Sequence, residues 1–185
     1  RAAAQLDDAG VSFGHGTTNA FDEAAWLVLW CLGLPLDALE DHAADTVSSE
    51  QAVAVDALVE QRVITRKPVA YLTGEAWLQG LPFHVDDRVI VPRSLIAEVL
   101  ADGLADAWMA GEPERVLDLC TGNGSLAVLA ALCWPGATVD ASDLSADALA
   151  VARLNLDRHA LAGRVRLLQG DGLATADGRY DLVLC

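Results

Sequence analysis

The sequence predicts an α/β domain with a parallel sheet, preceded by a small helical domain and a β-hairpin connector. From residue 93 to residue 185, short apolar runs alternate with segments of helical spacing. Such alternation implies right-handed crossovers and a parallel sheet with helices on its faces. Residues 1–67 have helical spacing without strand-like runs, whereas residues 68–92 hold short β-rich runs separated by glycine or aspartate pairs. The predicted boundaries are therefore 1–67, 68–92 and 93–185.

Capping residues place the helices of the first part. Asn19 is suited to cap a helix over 20–32, which carries acidic residues in its first turn. Ser48 and Gln51 have the spacing of a capping box, which predicts a helix that runs to about residue 66.

The middle part is predicted to be extended. Its β-rich runs are 69–72, 76–78, 83–85 and 88–91. Gln79-Gly80 lies between two of them and is suited to a tight hairpin turn.

The third part alternates helix and strand. The predicted helices are 94–110, 124–133 and 145–160, and the predicted strands are 115–119, 137–142, 165–168 and 182–185. The chain begins at Arg1 without a methionine and stops at Cys185 inside an apparent strand. We therefore expect it to be part of a longer polypeptide whose α/β domain is truncated here after its fourth strand.

Composition restricts the classes of partner. The net charge is −15, with 27 Asp and Glu against 12 Lys and Arg. Such a field repels nucleic acid and anionic membranes and favours a basic partner, although it also serves solubility. No apolar stretch is long enough to span a bilayer. Four scattered cysteines suit reduced thiols in the cytoplasm and predict no metal site.

A glycine turn is the strongest sign of a ligand site. The predicted strand 115–119 runs into a turn that contains Gly122 and Gly124, and a helical run begins at Ser125. Glycines let the backbone approach a ligand closely, and a helix N-terminus offers free N–H groups, although both glycines could also be ordinary turn residues. The turn lacks the G-x-G-x-x-G pattern of dinucleotide sites and the Gly-Lys-Ser/Thr of phosphate loops.

Three acidic residues follow successive predicted strands. Asp118 precedes the glycine turn, Asp143 ends the next strand, and Asp171 follows the third. Asp143 is placed to accept hydrogen bonds from ribose hydroxyls, and Asp171 to meet an adenine amino group or to serve as a turn residue. Asp118 is placed to meet an ammonium group or to brace the turn by bonding its backbone. Three carboxylates suit an adenosine that carries a cationic amino acid better than a phosphate.

The motifs resemble those of class I S-adenosylmethionine-dependent methyltransferases, which have a Rossmann-like fold. They are Asp118-x-x-Thr121-Gly122-x-Gly124, the run Val139-Asp140-Ala141-Ser142-Asp143-Leu144-Ser145, and Gly170-Asp171. Pro68-Val69-Ala70-Tyr71-Leu72-Thr73-Gly74 and Val91-Pro92-Arg93-Ser94-x-x-x-Glu98 are similar to the connector and domain entry of the HemK-type protein-glutamine methyltransferases. Cys120 and Ser94, which replace a usual glycine and proline, together with Gly14-His15-Gly16-Thr17, resemble one branch of that family.

The resemblance implies a function. The cofactor is S-adenosyl-L-methionine, and the implied binding residues are Asp118, Cys120, Thr121, Gly122, Asn123, Gly124, Asp143, Leu144, Asp171 and Gly172. The implied reaction is methyl transfer to the side-chain amide nitrogen of a glutamine in a basic protein of the large ribosomal subunit, in the cytoplasm. Residues 1–67 would recognise that protein, and direct contact with nucleic acid or a membrane is not expected.

The resemblance also locates the catalytic motif. In that family Asn-Pro-Pro-Tyr follows a strand like Tyr180-Asp181-Leu182-Val183-Leu184-Cys185, so it is expected directly after Cys185. No catalytic residue is therefore assigned within the chain, and residues 1–185 alone are expected to be inactive. Two alternatives stay open: a methyltransferase that acts on adenine-type amino groups of nucleic acid, and an inactive cofactor-binding fragment.

Overall fold

A computed structural model describes the backbone of residues 1–185 and every side chain except that of residue 106. The chain divides into two compact units, residues 1–74 and residues 75–185. A search of the described residues finds no helix with the length and apolarity needed to cross a membrane.

The first unit is helical. Its helices are α1 (Ala2–Asp8), α2 (Ala20–Leu32), α3 (Leu39–His42), α4 (Ser49–Thr65) and α5 (Val69–Thr73). Helix α2 contacts α1, α4 and α5, and its Leu27 and Leu29 are fully buried. This helix is therefore the centre of the unit.

The predicted caps of the first unit are confirmed. Asn19 accepts a hydrogen bond of 2.9 Å from the backbone N–H of Asp22, and Ser48 and Gln51 form a reciprocal capping box. A buried ion pair then joins the two capped helices, because the Arg62 guanidinium in α4 donates to Glu23 in α2 at 2.7 Å.

Two predicted β-rich runs are wrong. Residues 69–72 belong to α5, in which Val69 and Ala70 are fully buried and which ends at Gly74 with φ +69°. Burial against other helices overrides the β propensity of this run. Residues 88–91 form no strand: the chain turns at Asp87 and Arg88, where Asp86 accepts hydrogen bonds from both the backbone N–H and the guanidinium of Arg88.

The second unit begins with a β-hairpin. Strands β1 (Glu75–Leu78) and β2 (Leu81–His84) pair antiparallel, with Leu78 opposite Leu81. Gln79 and Gly80 have φ of +50° and +72°, which is the left-handed geometry that a two-residue turn requires. The predicted hairpin turn is confirmed.

The rest of the second unit is an α/β sandwich. Its elements are α6 (Leu95–Ala101), a 3-10 helix (Leu104–Trp108), β3 (Arg115–Leu119), α7 (Ser125–Cys133), β4 (Thr138–Asp143), α8 (Ala146–Arg158), β5 (Val165–Gln169), a second 3-10 helix (Gly172–Thr175) and β6 (Leu182–Leu184). The four strands are parallel in the order β5-β4-β3-β6. The α/β class with a parallel sheet is confirmed.

One predicted helix is shorter than expected. The sequence predicts a single helix over 94–110, but α6 ends at Ala101 and a 3-10 helix follows Gly103. Gly103 has φ +67°, a left-handed conformation that an α-helix cannot contain. Ala97 and Leu100 of α6 join the core that α7 and the sheet form around Val116 and Val139.

Candidate cofactor site

The sheet brings the three predicted acidic positions to one edge. In the parallel register, Leu119 lies opposite Ser142 and Asp143 lies opposite Gln169, so β3, β4 and β5 end side by side. Asp118 and Asp143 lie within the last two residues of their strands, and Asp171 lies two residues after β5. In open parallel sheets, ligands bind outside the carboxyl ends of the strands.

The turn after β3 is held to its neighbour by backbone bonds. The N–H of Thr121 donates to the carbonyl of Ser142 at 2.8 Å, and the N–H of Gly124 donates to that of Thr121 at 2.9 Å. Cys120, Gly122 and Gly124 all have positive φ, of +58°, +56° and +80°. A β-carbon added at Gly124 would lie only 3.1 Å from the Cβ of Ala152, so α8 packs directly on this glycine.

Asp118 is a buried carboxylate that holds the turn by hydrogen bonds. It is 1% exposed, and its Oδ2 accepts hydrogen bonds from the Thr121 hydroxyl at 2.5 Å and from the N–H of Ala127 at 3.1 Å. Burial raises the pKa of Asp118 to about 7. Asp118 therefore holds the turn through the Thr121 side chain and the first residues of α7, instead of through the backbone of the turn as predicted. Contact with an ammonium group stays a prediction.

Asp143 joins the glycine turn to the start of α8. One carboxylate oxygen accepts the N–H of Gly122 and the other accepts the N–H of Ser145, both at 2.9 Å. Each carboxylate oxygen has a second acceptor position. Asp143 can therefore hold the turn and still accept hydrogen bonds from a ligand.

After the end of β5, the backbone at Gly170 lies close to the Thr175 side chain. The N–H of Gly170 donates to the carbonyl of Asp143 at 3.0 Å, and a β-carbon at Gly170 would lie 2.2 Å from the Thr175 methyl carbon. Any larger residue there would require the Thr175 side chain to shift. Asp171 is exposed, Gly172 has φ +53°, and Leu144, on the neighbouring strand end, is 67% exposed.

Cys120 lies beside a second thiol at the ends of β3 and β6. Desolvation, the neighbouring Cys185 thiol and the charge of Asp143 raise the pKa of Cys120. A raised pKa keeps the thiol protonated and disfavours a nucleophilic role.

Two buried polar groups at this edge lack a protein partner. Asn123 is 4% exposed and its Nδ2 donates to no described atom, although its Oδ1 accepts the N–H of Ser125. The hydroxyl of Ser142 is also buried without a described partner. Buried polar groups are normally satisfied, so such groups need an explanation such as a ligand or water.

Sequence reasoning missed Asn155. It is fully buried in α8 and bonds both to the hairpin at His84 and to the turn at Asn123. A signal was available, because an asparagine occupies a position of helical spacing after the apolar Ala148, Val151 and Ala152.

The site suits an adenosine with a cationic amino acid better than it suits a pyrophosphate. Acidic groups end or follow all three strands, and an added β-carbon at Gly122 would meet nothing within 4 Å, so the turn borders open space. Within the described side chains, no group of three or more His, Cys, Asp and Glu residues is arranged to hold a metal ion.

Comparison with known proteins agrees with this geometry. The Methyltransferase small domain model matches residues 96–185, and the PrmC N-terminal domain model matches residues 1–74. The ribosomal protein uL3 glutamine methyltransferase of Burkholderia pseudomallei is 52% identical, over 92% of this chain and 56% of its own length. Its namesake from Bordetella pertussis is 50% identical, over 100% of this chain and 62% of its own length.

The solved structures resemble the chain more weakly. A methyltransferase from Thiobacillus denitrificans, crystallised with S-adenosyl-L-homocysteine, is 27% identical over 52% of this chain and 38% of that chain, with a TM-score of 0.40. A match of this size does not by itself establish a shared fold. The two uL3 methyltransferases are more similar to the chain, at 52% and 50% identity, although the chain spans only 56% and 62% of their lengths. Over nearly all of its length, the chain is therefore similar to protein-glutamine methyltransferases of the HemK type.

Proposed function

We propose that this chain binds S-adenosyl-L-methionine at the edge formed by β3, β4 and β5. The observation that carries the proposal is the adjacency of Asp118, Asp143 and Asp171 around a glycine turn that borders open space. Bound there, the cofactor would supply an activated methyl group.

Each group of the cofactor has a candidate partner. Asp143 has free acceptor positions for the ribose hydroxyls, the exposed carboxylate of Asp171 is suited to the adenine amino group, and exposed Leu144 offers an apolar surface for the ring. Asp118 is the candidate for the ammonium group. The remaining proposed contacts come from the turn and from the third strand end, at Cys120, Thr121, Gly122, Asn123, Gly124 and Gly172.

We propose that the acceptor is the side-chain amide nitrogen of a glutamine in a large-subunit ribosomal protein. The names of the two relatives support this assignment. The net charge of −15 supports a basic protein partner rather than nucleic acid. The two would meet in the cytoplasm. Residues 1–67 would form the recognition domain, and residues 68–92 its connector. The resemblance puts the amide-binding motif after Cys185, so residues 1–185 alone should bind cofactor without transferring its methyl group.

Calorimetry tests the first step. S-adenosyl-L-homocysteine should bind the 185-residue chain, and an Asp143→Ala variant should bind it more weakly. Absence of binding by the unchanged chain would contradict the cofactor assignment.

Methyl transfer tests the second step. Labelled S-adenosyl-L-methionine is incubated with purified large-subunit ribosomal proteins or with DNA. The enzyme is either the chain or a chimaera in which the Burkholderia relative supplies the residues that follow the matched region. Label on a glutamine of one ribosomal protein, found only with the chimaera, is the expected result. Label on DNA alone would contradict the substrate assignment. Methyl transfer by the 185 residues alone would show that the amide-binding motif expected after Cys185 is not required.

A further inference from the structure

One buried side chain connects the β-hairpin with the glycine turn. The Oδ1 of Asn155 accepts the N–H of His84 at 2.6 Å, and its Nδ2 donates to the carbonyls of His84 at 3.0 Å and of Asn123 at 2.8 Å. His84 is the last residue of β2, and Asn123 lies in the middle of the turn. Asn155 is 0% exposed, so water does not compete for these bonds.

The three bonds use the amide in a way that no other side chain of its size can reproduce. Two carbonyls require two donors and the N–H requires an acceptor, and only an amide carries both kinds of group on one planar head. The orientation of the amide follows from these partners, since a flipped amide would face a donor with its NH₂ group and two carbonyls with its oxygen.

Arg158, the last residue of α8, and His159, its C-cap, bond to the hairpin. The Arg158 guanidinium donates to Glu75, and the His159 ring bonds to the carbonyl of Pro82 at 2.9 Å while packing 5.1 Å from the Phe83 ring. Among the described side chains of α8, Asn155 is the one that bonds to both the hairpin and the turn. His159 therefore serves as a comparison, because its ring bonds to the hairpin.

We propose that Asn155 is a positioning residue that couples the hairpin to the glycine turn and holds the turn ready for the cofactor. This inference rests on the proposed cofactor site. Because the Asn155 amide fixes the carbonyl of Asn123, it also fixes the orientation of the peptide that leads into Gly124. The Nδ2 group of Asn123, which is buried and has no partner among the described residues, is carried by the same backbone.

The test compares Asn155→Ser with His159→Phe in the full chain. Asn155→Ser removes the donor to the carbonyl of Asn123 together with both bonds to His84, whereas His159→Phe keeps a ring against Phe83 and removes only a hairpin bond. Affinity for S-adenosyl-L-homocysteine, measured by calorimetry, should fall about tenfold in Asn155→Ser, as the loss of one buried hydrogen bond predicts. It should change less than about twofold in His159→Phe. Equal losses in both variants would overturn the proposal, because Asn155 would then act only through the hairpin.

Hydrogen exchange gives a readout that needs no cofactor. In Asn155→Ser the amides of Gly124 in the turn, of Ser125 at the start of α7 and of His84 in the hairpin should all exchange faster than in the unchanged chain. In His159→Phe only hairpin amides should do so. Unchanged protection of the turn in Asn155→Ser would refute the coupling.

The two proposals can fail separately. If the unchanged chain binds no S-adenosyl-L-homocysteine, the cofactor assignment fails, while the exchange pattern still decides whether Asn155 couples the two elements. If Asn155→Ser does not fold, as thermal unfolding would reveal, exchange in the unchanged chain decides. Added S-adenosyl-L-homocysteine should then slow exchange at His84 as well as in the turn, since coupling is reciprocal. An effect confined to the turn would overturn the proposal.

Discussion

Asp143 accepts a hydrogen bond of 2.9 Å from the backbone N–H of Gly122, so the end of β4 is tied to the turn that follows β3. The carboxylate therefore organises the site as well as offering acceptor positions to a ligand. Loss of this carboxylate should therefore change the shape of the turn and lower the affinity of the site for its ligand.

Asp143→Ala should weaken the binding of S-adenosyl-L-homocysteine by about tenfold or more, since hydrogen bonds to charged groups contribute about 1.5–3 kcal/mol each. Isothermal calorimetry measures the effect. Asp147→Ala is the matched control, because it removes the same charge from an exposed position in the first turn of α8. Equal affinities of the two variants would contradict the role given to Asp143.

Gly124→Ala should destabilise the second unit by about 1–3 kcal/mol, the usual cost of overpacking, with strain at a positive φ adding to it. The new methyl group would lie 3.1 Å from the Cβ of Ala152 and 3.3 Å from its Cα. Gly136→Ala is the control, because its added β-carbon meets no atom within 4 Å and its φ is not positive. Urea unfolding of both variants measures the difference, and similar midpoints would show that α8 yields at Ala152.

Asp118 should make the free energy of unfolding depend on pH between about 4 and 7. Its native pKa is about 7 and its ordinary value is 3.8, so in this window the native state holds a proton that the unfolded state has released. Stability from this group therefore falls as the pH rises through the window. Urea unfolding at several pH values should show Asp118→Asn gaining stability relative to the unchanged chain from pH 5 to pH 8. Parallel curves for the two chains would mean that Asp118 is not protonated in the native state at pH 5.

Arg166→Gln should destabilise the sheet above the ordinary pKa of Asp140 and have less effect in acid. Burial raises the pKa of Asp140, but bonds from the guanidinium at 2.8 Å and from the Tyr180 hydroxyl at 2.7 Å outweigh it, so the net pKa is lowered. A lowered native pKa adds stability above the ordinary value, and that stability is lost as the pH falls through the native value. We expect only a small cost at pH 7, because the arginine is 55% exposed and solvent screens the pair.

Thermal unfolding at pH 7 and pH 3 would measure this cost. Arg179→Gln is the control, since the described part of the chain offers that exposed side chain no ion pair. A cost that is the same at both pH values would show that packing, and not the ion pair, is lost.

Local signals account for the elements that were predicted correctly. Asn19, Ser48 and Gln51 bond to backbone groups three residues away, and Gln79-Gly80 satisfies a turn that needs two residues at positive φ. Such preferences depend on few neighbours, so a sequence reveals them. The strand predictions for 69–72 and 88–91 were wrong. Burial in a helical unit outweighed the β propensity of the first run, and the hydrogen bonds of Asp86 outweighed that of the second.

The sequence by itself determined the α/β class, the glycine turn and the three acidic positions. Alternating periodicity and the ends of strands depend on residues that are close together in the sequence, so the sequence pattern reveals them. The tertiary structure alone decided how those positions are held. It buried Asp118 under the turn, gave Asp143 two backbone donors, and brought Asn155 to Asn123 and His84, which are 32 and 71 residues away along the chain. Contacts of that range arise from the strand order and the packing of α8, which no local pattern encodes.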